Sequence, residues 1–495
     1  MRLETLKKKF LVLKPFLKPF LVVFLIYGFA FLAVFRAGVS FVDDRGRAIF
    51  GYAWTSDFNR YSSTAFGLLL NVNDRLLDIS PWPQILGLAF LSMVSVILTY
   101  IFCDKKIKYL PLVLTTFVGL LPLTVECWMY KFDAPWIALS VLVSVLPILW
   151  WPKKLEKKSV LRFGGISLIC MLIMWTTYQA SSGVFPVLCL FMAVKDYLKG
   201  EKILAIVKKL GLAVLVFIVA ALIFKFGLPE PVKSYRSNEM LGISEFASGV
   251  WGNFVAHIKL MVGSLNIWQK ILALMMVAGT TILVFWKYKS KGFLILFGFL
   301  VALPLSIGAY LLLVKPPLTA RSLVGVGMSF VPILILATKD IDKLFGYVLV
   351  APSLVLLYSF MVFVLAFGNG LVDQERWANF RVEDLVSKLS ELYPDKEDVA
   401  RRKIKIGGDI GYSTVMKHVA DKYPVTEELV TIQTTGLSWA AWGLTKIRSY
   451  HNRYQEFEEN YAFEDYCSLE IVEVRADTYY FTISDSVDRV CVKLK

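Results

Sequence analysis

Polar surface is what this sequence has least of. Only 19% of its 495 residues are charged and 57% are hydrophobic, at a mean hydropathy of +0.60. A soluble fold of this length would need many more polar residues to cover itself. Acids are scarcer than bases, 39 Asp and Glu against 54 Lys and Arg, which leaves a net charge of +15. A nucleic-acid binder would gather that excess on one polar face. Here the lysines punctuate long apolar runs, as cytoplasmic loops do between membrane spans, so the charge reports topology and no nucleic-acid partner is expected. Histidine is nearly missing: His257, His418 and His451 stand far apart and form no metal motif. There is no phosphate-binding glycine loop, no serine nucleophile motif, no CxxC, no internal repeat and no low-complexity stretch. A nucleotide-sugar site of the soluble kind is therefore not evident. The six cysteines are scattered. Cys170 and Cys189 lie in apolar runs, where cysteine behaves as a small hydrophobe. Cys467 and Cys491 fall together in the polar C-terminal region and could pair if that region faces an oxidising compartment.

Apolar runs are what the chain has in abundance. A helix crossing the hydrocarbon core needs ~20 mainly apolar residues, and the segments near 16–36, 84–102, 110–125, 134–151, 163–178, 183–194, 210–228, 270–286, 292–313, 322–338 and 344–367 qualify or nearly so. The pattern predicts about 11 transmembrane helices. The first run follows a basic stretch, but it is long for a signal-peptide core and no small-x-small site follows directly, so it reads as a retained span. Alternate loops carry the lysines: Lys7, Lys8, Lys9 and Lys14, then Lys105, Lys106 and Lys108, then Lys153 to Lys158, Lys195 to Lys209, Lys287 to Lys291, and Lys339 with Lys343. The opposite short loops offer only Lys131, Lys315 and Arg321. By the positive-inside rule the N-terminus is cytoplasmic, and an odd number of spans puts the tail on the periplasmic side.

Residues 1–369 thus form a transmembrane domain and residues 370–495 a periplasmic C-terminal domain. Two further outer segments, 37–83 and 229–269, are too long to be turns. In the first, STAFGLLLNVNDRLLDISPWP repeats its apolar positions at helical spacing, which suggests a helix lying in the interface. The tail alternates helical stretches (VEDLVSKLSELY, TVMKHVADKY) with strand-like ones (KIKIGG, YYFTIS, RVCVKL), the pattern of a small mixed α/β domain. It reads as a packing or docking module without chemistry.

Few ionisable groups lie deep within the spans, which weighs against an ion-coupled transporter. Polar residues collect instead at the outer ends. After the first span come Asp43, Asp44, Arg45 and Arg47, then Gly51, Tyr52, Trp54 and Arg60. Adjacent carboxylates at the water interface suit a general base or the hard oxygen ligands of a divalent ion such as Mg or Mn; an isolated Asp-Asp pair is otherwise an ordinary solvated loop start. A hairpin between the third and fourth spans holds Glu126 and Asp133 around Trp128, Tyr130 and Phe132. Its aromatics read as interfacial belt residues and its acids as candidates to orient an acceptor. Tyr178 and Gln179 end the fifth span. Arg321 follows Lys315-Pro316-Pro317 on the same side, where its planar fork matches phosphate oxygens or simply snorkels to headgroups.

Together, the run Asp43-Asp44-x-x-Arg47-x-x-x-Gly51-Tyr52-x-Trp54 with Arg60 downstream resembles the serotype-converting O-antigen glucosyltransferases of the Gtr type, bacterial and often prophage-encoded enzymes of the GT-C class. The Glu126 to Asp133 hairpin, Tyr178-Gln179-Ala180 and Arg321-Ser-Leu-Val-Gly look like further family positions, although Cys127 stands where an Asn is expected. The likeness covers about residues 35 to 340. It implies a GT-C-like fold in the bacterial inner membrane and transfer of glucose from undecaprenyl-phosphate glucose, made on the cytoplasmic side and flipped outward. The acceptor would be a sugar of a lipid-linked O-antigen unit, with inversion at the anomeric carbon. A flippase and a donor-synthesising glucosyltransferase are the implied functional partners, besides membrane lipids. The resemblance assigns Asp44 or Asp43 as base, the other aligning the acceptor or a metal, with Glu126 and Asp133 completing the acidic cleft. Arg321, helped by Arg47, would stabilise the departing lipid phosphate, with Arg60, Tyr178, Gln179 and Trp54 as further binding residues. The rivals are another GT-C enzyme with a different lipid-linked sugar, an O-antigen polymerase or ligase using Arg236 and His257, and a flippase or transporter.

Overall fold

The computed structural model describes residues 2–229, 239–393, 403–430, 467, 473–486 and 489–495; Arg236 and His451 lie outside them. Its helices are α1 (Arg2–Ala37), α2 (Asp44–Phe50), α3 (Thr55–Phe58), α4 (Tyr61–Asn71), α5 (Trp82–Phe102), α6 (Tyr109–Leu114), α7 (Phe117–Leu120), α8 (Val125–Met129), α9 (Ala134–Val145), α10 (Lys157–Thr177), α11 (Val184–Leu198), α12 (Ile203–Gly227), α13 (Phe246–Gly263), α14 (Ile267–Tyr288), α15 (Gly292–Ile307), α16 (Gly327–Thr338) and α17 (Leu344–Leu392). Near the C-terminus come β1 (Lys403–Gly407), α18 (Thr414–Lys422), α19 (Val425–Leu429), β2 (Glu473–Asp477), β3 (Phe481–Asp485) and β4 (Arg489–Leu494).

Among the described residues, eight helical stretches are long and apolar enough to cross a membrane, which fits a multi-pass membrane protein. The sequence pattern suggested eleven segments, and the difference arises in three places. Residues Ala134–Trp150 form a shorter apolar helix, buried along nearly its whole length. Tyr109–Leu120 and Pro122–Met129 meet at a bend of 56°. The cause is local: Leu121 precedes a proline and is driven out of the helical region to ψ 134°, as the proline ring demands. The third is Ile267–Leu312, one apolar stretch of 46 residues. A continuous helix of that length would run about 70 Å, more than twice a hydrocarbon core. It is divided at Lys289, whose φ of 51° ends α14, and Phe285 meets Phe293 across the break at 4.8 Å.

The chain divides into two compact units, Met1–Leu32 with Tyr52–Leu365, and Ala33–Gly51 with Ala366–Lys495. In the first, α9 is surrounded by α5, α10 and α11, and α16 by α14, α15 and α6. In the second, β1, β4, β3 and β2 lie side by side in that order, with β1 parallel to β4 and the other pairings antiparallel. Its core joins Ala378, Val382, Leu385 and Leu389 of α17 to Ile404, Ile406, Phe481, Ile483, Val490 and Val492 of the sheet. The small mixed sheet expected of the tail is present. Cys467 and Cys491 form a disulfide.

Candidate functional site

The bend before Pro122 turns the chain into the hairpin of residues 126–133, and each charged residue of that hairpin is paired with a different segment. Glu126 accepts the backbone N–H of Arg321 at 2.6 Å and faces its Nε at 3.6 Å. Lys131 pairs with Asp78 at 3.0 Å. Asp133 pairs with Arg60 at 3.4 Å. Glu126, Lys131 and Asp133 are all buried, and buried charges persist only when they are paired and hydrogen-bonded. Three ion pairs therefore fasten three separate pieces of chain around one turn. Burial alone would push the Asp78 carboxyl up, but the Ser80 hydroxyl and N–H together with Lys131 outweigh it and hold it below its usual value.

Two guanidinium groups then lie against tyrosine rings, Arg60 on Tyr178 and Arg321 on Tyr130. Arg60 stands over the Tyr178 ring at 5.3 Å and over Phe58 at 5.2 Å. Arg321 donates from Nη1 to the Tyr130 hydroxyl and acts electrostatically, with Arg60, on the Tyr178 and Tyr310 phenols. Gln179 donates to the carbonyls of Phe58 and Trp175, each at 3.0 Å, which ties the turn before Arg60 to the end of α10. Trp54 meets Phe58 at 5.4 Å and Tyr52 at 5.2 Å. The structure thus brings Glu126, Asp133, Arg60, Arg321, Tyr178, Gln179 and Trp54 into one neighbourhood. Arg321 remains partly open, its side chain 36% exposed, as a group that meets a ligand must.

Backbone packing fixes this arrangement from below. A Cβ on Gly183 or on Gly325 would stand 2.4 Å from the Ser306 carbonyl oxygen, so three segments approach at distances that only glycine permits. Ser182 accepts the Ala309 N–H at 2.9 Å and Ser181 shares a hydrogen bond with Ser140 at 2.6 Å. The segments held together here are the ones that carry Tyr178, Tyr310 and Arg321.

Asp43, Asp44 and Arg47 belong to the second unit, where all three are buried. Asp44 accepts the Phe41 N–H at 3.1 Å, and Asp43 faces Arg47 one helical turn away at 3.6 Å. Gly51 closes α2 in the left-handed region, at φ 67°. The surroundings do not match a solvated loop start. As a metal cradle the pair fits poorly, because each carboxylate already has a partner of its own. Among the described residues no three His, Cys, Asp or Glu side chains gather.

The lysine-rich loops converge at the other end of α5. Asp104 pairs with Lys195 at 3.2 Å, Lys199 at 2.8 Å and Lys339 at 2.8 Å. Asp340 pairs with Lys108 at 2.8 Å and Lys287 at 2.6 Å. Burial opposes ionisation of both carboxyls, yet their lysines prevail and hold them well below the usual range.

Other residues of the candidate site are inconspicuous in the sequence. In sequence, Trp128 and Tyr130 read as interfacial belt residues. Both are buried, at 1% and 2% exposure, with the Trp128 indole donating to the Gly119 carbonyl at 3.0 Å. Tyr310 and Phe58 carry no signal in sequence.

All the candidate residues fall inside a stretch shared with known proteins. Residues 32–336 match the family described as Glucosyl transferase GtrII. The chain is a glycosyltransferase-family membrane protein by this match. It belongs to the GtrII glucosyl transferases. A relative from Salmonella phage P22, named as an uncharacterized 55.3 kDa protein in the gtrB 5' region, is 23% identical over 224 residues. The match covers 44% of each chain, so the protein spans less than half of that relative. No solved structure matches.

Proposed function

We propose that this protein transfers glucose from a polyprenyl-phosphate carrier to a lipid-linked O-antigen unit on the periplasmic face of the bacterial inner membrane. One observation carries the reading. Two arginines, each braced by a buried acid, lie over the neighbouring rings of Tyr178 and Tyr130 at the end of the bundle away from the lysine-rich loops, where a lipid headgroup would sit. A nucleotide-sugar enzyme would keep its site at the lysine-rich end.

The chemistry follows from the charges. An acceptor hydroxyl attacks the anomeric carbon, its proton passes to a carboxylate, and the bond from that carbon to the phosphate oxygen breaks with its electron pair. A lipid phosphate already leaves as a weak base, so it needs positive charge more than a proton. Arg321 and Arg60 supply that charge, while Glu126 and Asp133 hold them in place. A single displacement inverts the anomeric centre. Asp44 or Asp43 is assigned as the base from the family motif and not from its position. The donor requires a synthesising glucosyltransferase and a flippase upstream.

The test is structural analysis of O-antigen from cells with and without the gene. A glucosyl branch present only in cells carrying it is the expected result. Identical O-antigens, in cells where the protein is expressed and the donor is made, would refute the assignment.

A further inference from the structure

Buried polar atoms without partners are rare in folded proteins, and each calls for an explanation. Three of them lie beside the Tyr178 site. Asn59, 7% exposed, donates through Nδ2 to the Pro229 carbonyl at 3.2 Å, while its Oδ1 makes no hydrogen bond among the described residues. Trp175, also 7% exposed, packs its indole on Phe224 at 5.5 Å and Phe217 at 5.8 Å, and its Nε1–H has no acceptor there. Arg60 keeps Nε–H unbonded although its Nη1 reaches Asp133. Gln179 bonds the backbone carbonyls of Phe58 and Trp175, so the segment that carries Asn59 and Arg60 lies against the end of α10 that carries Trp175. Asn59 also sits at φ 54°, a left-handed conformation that Asn tolerates better than most residues and that tends to persist where function demands it. A fourth such atom, Oγ1 of Thr319, lies on the Arg321 side.

Two N–H donors and one carbonyl acceptor, all desolvated and carried by two segments that meet at Gln179, with Arg60 over the Tyr178 ring, form a set that neither a phosphate nor a lipid chain satisfies. Phosphate has no use for the Asn59 acceptor. A lipid chain has no use for any of them. A pyranose satisfies all three, since each hydroxyl both donates and accepts. We infer that Asn59, Arg60 and Trp175 form the subsite for the hydroxyls of the sugar carried by the lipid donor, and so decide which sugar the enzyme takes. This rests on the reading of the protein as a lipid-linked sugar transferase.

The experiment uses the full chain in lipid nanodiscs and measures binding of polyprenyl-phosphate glucose and of bare polyprenyl phosphate. The variants are Asn59→Gly, which suits the left-handed backbone, and Trp175→Phe, which keeps the ring stack and removes only the N–H. Each is expected to weaken the glucose-bearing lipid about fivefold, the size of one net hydrogen bond, and to leave the bare lipid unchanged. Unaltered affinity for both lipids would mean the atoms are merely hydrated, and equal loss for both would mean a packing role; either overturns the inference. Wild-type protein that binds the bare lipid but gains nothing from any attached sugar would bring down the transferase reading and this subsite with it.

Discussion

Arg321 is held from two directions, by Glu126 at its backbone N–H and Nε and by the Tyr130 hydroxyl at Nη1. Lysine cannot reproduce a planar fork with several fixed donors. Arg321→Lys is expected to lower transfer about a hundredfold, on the order of losing one transition-state donor, with unchanged protein level in the membrane; near-normal rates would remove it from the site. Asp44→Asn is expected to abolish glucosylation while expression and insertion persist. Normal transfer by both Asp43→Asn and Asp44→Asn would discard the proposed base. At this scale the sequence was half legible. Arg321, Glu126 and Asp133 stood out because charge at a span end is conspicuous in an apolar chain, and Arg60 because it follows the Asp43-to-Trp54 cluster. Tyr130 and Trp128 did not, because an aromatic at a span end looks the same in sequence whether it faces lipid or a partner helix.

The helices themselves were easier to read, since runs of apolar residues are their own signal, and every segment expected from hydropathy falls on a helical stretch. The bend at Leu121 and the packing of Gly183 and Gly325 on Ser306 were hidden, because they depend on which elements meet. Gly325→Ala is expected to cost about 1–3 kcal/mol, the range for overpacking a filled interior, and to lower transfer by displacing Arg321, as read from thermal unfolding in detergent alongside activity. At the lysine-rich end, Asp104 and Asp340 titrate below their unfolded value of about 3.9. A depressed carboxyl contributes stability above that value and loses it as pH falls toward the folded pKa. The unfolding midpoint should therefore drop as pH is lowered from about 5 toward 2, and the slope should flatten in an Asp104→Asn, Asp340→Asn double variant. An unchanged slope would show that those pairs contribute nothing.

For the molecule as a whole, the alternation of lysine-rich and lysine-poor loops predicts sidedness. A reporter active only in the cytoplasm, fused after Lys495, is expected to stay silent, and one placed between Lys154 and Lys157 to be active. The reverse pattern would invert the proposed orientation and the site with it. The division into units was less legible than the spans. Residues 33–51 cluster with the C-terminal residues, although they follow the first span directly and hydropathy groups them with the loops of the bundle.

The Cys467–Cys491 bond turns this question into one that a simple maleimide can answer. The other four cysteines are buried, so an impermeant thiol dye has little else to find. If the tail lies in the oxidising periplasm, intact cells stay dark until a mild reductant opens the pair, and then two labels appear for each chain. The redox climate of a compartment, written into a single covalent link, would thus tell on which side of the bilayer the last quarter of the protein resides.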